Sequence, residues 1–101
     1  MGYLFQEKTW PELKEYIDKN ALIILPVGEM EEHSLWLPVD TDARIAEYLT
    51  GQLAAHLEEE GEIPELGMPD IWSGYTPKAV QQWPGAMELR PQVFIEMVHD
   101  I

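Results

Sequence analysis

The chain has 101 residues, enough for one small domain, and 46% of them are hydrophobic, a normal share for a globular protein. Six basic against nineteen acidic residues give a net charge of −13, which disfavours nucleic acid and anionic membrane surfaces as partners and favours cations. Cysteine is absent, which excludes disulfides, thiolate metal ligands and a cysteine nucleophile. No apolar run is long enough to span a bilayer, and no basic-then-apolar leader opens the sequence, so a cytoplasmic location is expected.

The first predicted elements are a helix and a strand. Thr9 can cap a helix, Glu12 can reach back to it from three residues on, and Pro11 is tolerated in the first turn. Asn20 can end this helix. The apolar run over residues 21–27 shows no alternation, which predicts a strand buried on both faces.

A long amphipathic helix is predicted next, after plausible caps at residues 40–42 and before a stop at Gly61. Its apolar positions recur three and four residues apart and are expected to face the core: Ala46, Leu49, Leu53 and Leu57, with Ile45 and Ala54 widening the stripe. Residues 62–91 hold five of the eight prolines and predict mostly loop, with a short strand over 66–68.

A last helix is predicted from Pro91, and its apolar pattern continues to Ile101 without a cap. This predicts a chain cut inside a larger fold, or a last turn that packs on a partner. The alternating elements predict an α/β fold, a βαβ core with flanking helices, in a single domain over residues 1–101. So few elements would leave a sheet face or edge uncovered, so we expect self-association into a homo-oligomer.

Two carboxylates and an imidazole lie between the first predicted strand and the second helix. Glu31 and His33 are two residues apart, so on an extended segment both side chains project to one side. Asp42 begins the next helix, at the sheet edge where α/β folds commonly hold ligands and metals. These side chains suit zinc, manganese or iron. The alternatives are a helix cap for Asp42, an ordinary loop carboxylate for Glu31 and a hydrogen-bonded structural role for His33.

The segment from Leu25 to Asp42 resembles the N-terminal signature of the creatininase (creatinine amidohydrolase) family. The family pattern, roughly L-P-x-G-S-x-E-Q-H-G-P-H-L-P-x-x-T-D, is similar to Leu25-Pro26-Val27-Gly28-Glu29-Met30-Glu31-Glu32-His33 with Leu37-Pro38 and Thr41-Asp42. The family's G-Y-S-x and F-P-G-T-x-x-L-R-P segments resemble, in order, Gly74-Tyr75-Thr76-Pro77, Trp83-Pro84-Gly85 and Leu89-Arg90-Pro91. The resemblance covers about residues 20–95.

This resemblance implies the N-terminal part of an α/β/α hydrolase that cleaves cyclic or linear amides at C–N bonds, uses a two-metal site and assembles as an oligomer. It places the family's glutamate ligand on Glu31, its histidine ligand on His33 and its metal-bridging aspartate on Asp42. The implied metal is zinc or manganese, and the implied partner is a small-molecule amide. Residues 1–101 are then a single truncated creatininase-like domain.

The chain departs from the family pattern near the site. Glu32 stands where the family has Gln, residues 34–36 replace Gly-Pro-His, Lys78-Ala79 replaces Glu-His, and Ala86 replaces Thr. The family's Asn-Gly-His-Gly-Gly-Asn loop, which carries a second histidine ligand, lies downstream of Ile101, as does a further glutamate ligand. Three ligands can hold one ion with open positions, but a second ion would need donors from another chain.

Two other hypotheses remain at this stage. The first is a truncated, non-catalytic relative, a folded oligomeric module that is stable without metal. The second is a small binding protein with an aromatic pocket, for which core packing is the alternative explanation. The residues concerned are Trp36, Trp72, Tyr75 and Trp83.

Overall fold

The computed structural model of the chain describes residues 2–101. It contains a 3-10 turn over Phe5–Glu7, then α1 (Trp10–Asp18), β1 (Leu22–Ile24), α2 (Thr41–Glu60), β2 (Glu65–Gly67), α3 (Lys78–Gln81) and α4 (Pro91–Asp100). These residues form two compact units, one running up to Pro26 and over Glu47–Asp70, the other over Val27–Ala46 and Ile71–Ile101. Among the described residues, no helix is both long and apolar enough to cross a membrane.

Helix α1 begins where the sequence predicts. The backbone N–H and the hydroxyl of Thr9 both lie 2.7 Å from Oε2 of Glu12 and donate to it. These bonds lower the pKa of the Glu12 carboxyl, the hydroxyl having the larger effect. Pro11 lies in the first turn, and Asn20, just past the helix, takes a positive φ of 55°. The predicted start and stop of α1 are confirmed.

The two strands form a parallel pair in the first unit, with Ile23 opposite Leu66. On the other edge of β2, the backbone N–H of Gly67 donates to the carbonyl of Tyr3 at 2.7 Å. Strand β2 therefore lies between β1 and the N-terminal segment, and Leu66 at its centre is only 2% exposed. The short strand predicted over residues 66–68 is confirmed, shifted by one residue.

The strand predicted over residues 21–27 is shorter than expected and covers only Leu22–Ile24. Its predicted burial on both faces is wrong, because Leu22 and Ile23 are 44% and 52% exposed. An apolar run indicates that a segment favours burial, but it does not say which element covers it. In the sheet described for residues 2–101, β1 has β2 on one edge and its side chains stay largely open.

Helix α2 has the predicted length and ends before Gly61, which takes a positive φ of 69°. The face that it buries differs in part from the predicted one, since Ala54 is buried as expected but three of the large residues are not. Its buried residues are small, namely Ala43, Thr50 and Ala54, whereas Ile45, Leu49 and Leu53 are between 42% and 59% exposed. In the first unit the reason is a close approach, since a Cβ on Gly67 would lie 3.0 Å from Cγ2 of Thr50. Large side chains do not fit at that distance.

The second unit is held together by hydrogen bonds between its segments. Three backbone N–H groups donate across it: Gly28 to Ile71 at 2.7 Å, Met87 to Met30 at 3.0 Å and Leu89 to Gly74 at 2.7 Å. The hydroxyls of Ser73 and the fully buried Thr76 both donate to the carbonyl of Met87. The predicted last helix is confirmed as α4, with Pro91 in its first turn. The one-turn helix α3 lies in a stretch predicted as loop.

Candidate metal centre

The loop after β1 and the start of α2 meet because Gly28 lies directly against Ala43. A Cβ on Gly28 would come within 2.5 Å of the Ala43 Cα and 2.6 Å of its nitrogen, distances at which only glycine fits. Asp42 precedes Ala43 in the first turn of α2. Glu31 and His33 follow Gly28 on the loop, so this contact brings the predicted ligands together.

All three predicted ligands converge. One ligand atom from each of Glu31, His33 and Asp42 lies within 4.8 Å of the other two, and all three residues are half-buried. Nε2 of His33 is 3.1 Å from Oδ1 of Asp42, with the two side chains 22% and 34% exposed. Their convergence on one point is confirmed, and their role as metal ligands stays a prediction.

The imidazole of His33 is oriented from its other side. Its Nδ1 lies 3.2 Å from the backbone carbonyl of Glu31, and because a carbonyl only accepts, Nδ1 carries the proton of this bond. Nε2 then faces Asp42 and is left either to hold a second proton or to bind a metal ion. A histidine whose second nitrogen donates to a carbonyl is the usual arrangement of a metal-binding imidazole.

Two pKa values at the site are raised. The pKa of His33 is raised first by its bond to the Glu31 carbonyl and then by the charge of Asp42, against a lowering by burial. The pKa of Glu31 is raised first by burial and then by Asp42, with a smaller contribution from the charge of Glu29. Asp42 contributes to both shifts after these larger causes, so its negative charge favours a proton or another cation at this point.

We expect the metal-free protein to lose stability as the pH rises above 6.5, the ordinary pKa of histidine. A group with a raised folded-state pKa contributes fully below its unfolded value, 6.5 for His33, and this contribution is lost as the pH rises through the folded value. Urea unfolding at about pH 6 and about pH 8 measures the change. The decrease should be larger in the wild type than in His33→Gln, and identical decreases would contradict this assignment.

Glu29 is a further carboxylate on this loop, and the sequence analysis did not single it out. Its Oε1 accepts hydrogen bonds from the backbone N–H of Met30 at 2.9 Å and of Gly74 at 3.2 Å. It therefore ties the ligand loop to the segment at Gly74. The sequence feature that could have indicated Glu29 is its position two residues before Glu31, the same spacing that separates Glu31 from His33.

Glu29→Ala should destabilise the protein by about 1 kcal/mol, because two partly buried amides lose their acceptor. Glu29→Gln keeps an oxygen at Oε1 and should retain most of that stability. Both variants remove the charge that helps to raise the pKa of Glu31, so that pKa should fall in both. Chemical denaturation measures the first effect and NMR titration the second. Equal stability of the two variants would show that these hydrogen bonds contribute nothing.

A cavity of about 430 Å³ opens beside His33. It is lined by Glu32, His33, Ser34, Leu35, Leu37, Val39, Trp83 and Pro84. Gly85 fixes one wall, because it has a φ of 98° and a Cβ there would lie 2.8 Å from Cγ1 of Val39. Of the four aromatic residues predicted to form a pocket, only Trp83 lines this cavity, and Trp36 is 86% exposed.

Comparison with known proteins identifies the family of the chain. Residues 6–101 match the creatininase family, described as creatinine amidohydrolase, and the chain belongs to this family. The chain is also 30% identical over 95 residues to the 3-dehydro-scyllo-inosose hydrolase of Thermotoga maritima. The matched stretch is 94% of this chain and 29% of that protein.

Solved creatininase structures share the fold. A structure described as creatininase Mn matches with a TM-score of 0.86 at 21% sequence identity. The match includes 99% of this chain and 38% of the creatininase chain. A variant creatininase of the Zn-Zn type matches with a TM-score of 0.85 at 22% sequence identity. That match includes 96% of this chain and 37% of the variant's chain. The predicted partial creatininase-like α/β/α fold is therefore confirmed. The chain spans well under half the length of these proteins.

Proposed function

We propose that residues 1–101 belong to a single creatininase-like domain that serves as the N-terminal part of a metal-dependent amidohydrolase. Glu31, His33 and Asp42 would bind one divalent ion. The observation that carries the proposal is the convergence of their three ligand atoms within 4.8 Å of one another. Zinc or manganese is proposed because both suit these donors, and because the solved creatininases are described as Zn-Zn and Mn forms.

The donor set fits such an ion. Ligand atoms that bind an ion at about 2 Å lie about 3 Å from each other, and Nε2 of His33 is 3.1 Å from Oδ1 of Asp42. Three protein ligands leave positions open for water and substrate. An ion bound there would supply a water molecule with a pKa lowered to about 7 and would polarise a carbonyl. The chain's own residues supply two negative charges through Glu31 and Asp42 and hold the imidazole through the Glu31 carbonyl.

The family description supports an amide, cleaved at its C–N bond, as the substrate. The name of the Thermotoga maritima relative makes 3-dehydro-scyllo-inosose the second compound to assay. A second ion would require donors beyond the three converging residues, and we propose that a second copy supplies them in a homo-oligomer. We also propose a cytoplasmic location, and the net charge of −13 disfavours nucleic acid and anionic membranes as partners.

Metal content and mass in solution test the proposal together. The purified chain, dialysed against zinc or manganese at about pH 8, should retain about one ion per chain and elute as an oligomer. His33→Gln, the control, should retain far less metal because it lacks the Nε2 ligand. Metal-loaded protein should then hydrolyse an amide such as creatinine. A monomer with no more metal than His33→Gln would overturn the proposal.

A second candidate function is a non-catalytic, oligomeric structural or binding module. The observation that favours it is the exposure of large apolar side chains in the first unit, on β1 and α2, namely Leu22, Ile23, Leu49 and Leu53. Apolar surface of this kind is commonly covered by another protein surface. This candidate expects a stable oligomer without metal, and a free energy of unfolding that changes little in His33→Ala.

A further inference from the structure

We propose that Glu58 and Glu65 form a proton-sensitive latch, which fastens the end of α2 to the start of β2 in mild acid and loosens at neutral pH. The latch lies within the first unit, and it does not rest on the proposed function. Glu58 is in the last turn of α2, and Glu65 is the first residue of β2. Only residues 61–64 join the two elements, so the two carboxylates stay near each other while both elements are formed.

Both carboxylates line one small cavity of about 240 Å³. The other residues that line it belong to the N-terminal segment, to α1 and to the turn before β2, and none of these described residues is basic: Gly2, Tyr3, Tyr16 and Pro64. Lys8 lies in the same region, but its Nζ is over the Tyr16 ring, 5.5 Å from the ring centre, and Lys8 does not line the cavity. On β1 the residue opposite Glu65 is Leu22, which is uncharged. Among the described residues, the elements packed around the latch therefore bring no positive charge into the cavity.

The electrostatics favour a proton at this pair. The pKa of Glu65 is raised first by burial and then by the charge of Glu58, against a smaller lowering by its own backbone. A raised folded-state pKa stabilises the fold below the unfolded value, 4.5 here, and this contribution is lost as the pH rises through the folded value. Residues 57–60, the last turn of α2, are one leucine and three glutamates, at the helix end where negative charge is least favourable. Ionisation of both carboxylates therefore works against the junction of α2 and β2.

Two backbone hydrogen bonds report whether the latch is closed. The N–H of Gly61, just after α2, donates to the carbonyl of Leu57 at 3.0 Å. The N–H of Leu22, at the start of β1, donates to the carbonyl of Pro64 at 2.8 Å. The first bond depends on the last turn of α2, and the second holds the start of β2 against β1. Opening of the latch exposes both amides to solvent, whereas simple fraying of α2 exposes that of Gly61 alone.

Amide hydrogen exchange of the whole chain, measured by NMR and expressed as protection factors, tests the latch. Between about pH 7 and about pH 5, protection of the Gly61 and Leu22 amides should rise about 2- to 4-fold in the wild type. Glu65→Gln removes the group that takes up the proton, so the rise should be less than about 1.5-fold at both amides. Glu58→Gln leaves the burial of Glu65, so a rise smaller than that of the wild type should remain. In this variant the pKa of Glu65, measured by NMR titration, should fall part of the way to its ordinary value.

Glu59→Gln is the matched control, because it removes the same charge from the same turn of α2, outside the cavity. It should keep the wild-type rise at both amides and leave the pKa of Glu65 unchanged. A rise in Glu65→Gln as large as in the wild type would overturn the proposal. So would a rise at Gly61 without one at Leu22, which would show that α2 frays by itself, or equal effects of Glu58→Gln and Glu59→Gln.

Discussion

Replacing Asp42 with alanine is expected to weaken zinc or manganese binding at least about 100-fold. Even residues that only support a metal ligand typically cost about 10- to 100-fold when they are changed, and Asp42 is proposed as a ligand itself. The substitution also removes the oxygen that lies 3.1 Å from Nε2 of His33. Isothermal titration of the metal-free protein at about pH 8 measures the change directly.

Asp40→Asn is the matched control for this prediction. It removes the same charge two residues away, from a carboxylate that accepts from Nε of Arg44 through both oxygens at 2.8 Å. Its effect on metal affinity should stay within about 3-fold, because a charge that does not bind the ion directly is screened by solvent and salt and contributes little. The stability lost in Asp42→Ala should be small, about 0.3–1 kcal/mol from the first turn of α2. Wild-type affinity in Asp42→Ala would remove Asp42 from the ligand set.

Gly28→Ala is expected to damage both the fold and the site. The added methyl would lie 2.5 Å from Cα and 2.6 Å from the nitrogen of Ala43, both backbone atoms that cannot rotate away. Overpacking of this kind costs about 1–3 kcal/mol, and more where backbone must move. The movement separates the loop of Glu31 and His33 from the helix of Asp42, so metal affinity should fall as well. Urea unfolding and metal titration measure the two effects.

Gly74→Ala provides the comparison for this substitution. A Cβ at Gly74 would lie 3.5 Å from Oε2 of Glu29 and 3.5 Å from Cε2 of Phe94, which are ordinary contact distances. It should therefore change stability by less than about 1 kcal/mol and leave metal binding intact. If Gly28→Ala were as mild as Gly74→Ala, the close approach of loop and helix would not be what positions the ligands.

Local signals in the sequence were sufficient for the boundaries of the helices. The Thr9–Glu12 pair, Gly61 and Pro91 mark helix ends, and each acts through hydrogen bonds or backbone angles within a few residues. Burial was less predictable. Ile45, Leu49 and Leu53 of α2 remain exposed. The buried residues of this helix, Ala43, Thr50 and Ala54, are small, as a close backbone approach requires. Hydrophobic periodicity records which residues favour burial, not how near the neighbouring backbone lies.

The three candidate ligands could be predicted because their positions follow from simple rules. A two-residue spacing aligns Glu31 with His33, and the start of the next helix brings Asp42 to the same edge. Glu29 and the cavity beside His33 depend instead on contacts with distant segments, at Gly74 and Trp83. Such pairings arise from tertiary folding and leave no local pattern in the sequence.

Nε2 of His33 either holds a proton or binds a metal ion, and this choice affects how metal binding is measured. Nδ1 is committed to the Glu31 carbonyl, so an ion arriving at Nε2 must displace whatever proton resides there. Because the pKa of the imidazole is raised, this proton is retained to a higher pH than on an ordinary histidine, and a metal ion that binds while it is present would release it into solution. The heat of titration should therefore vary with the ionisation enthalpy of the buffer. Purification in acid would therefore favour the metal-free form.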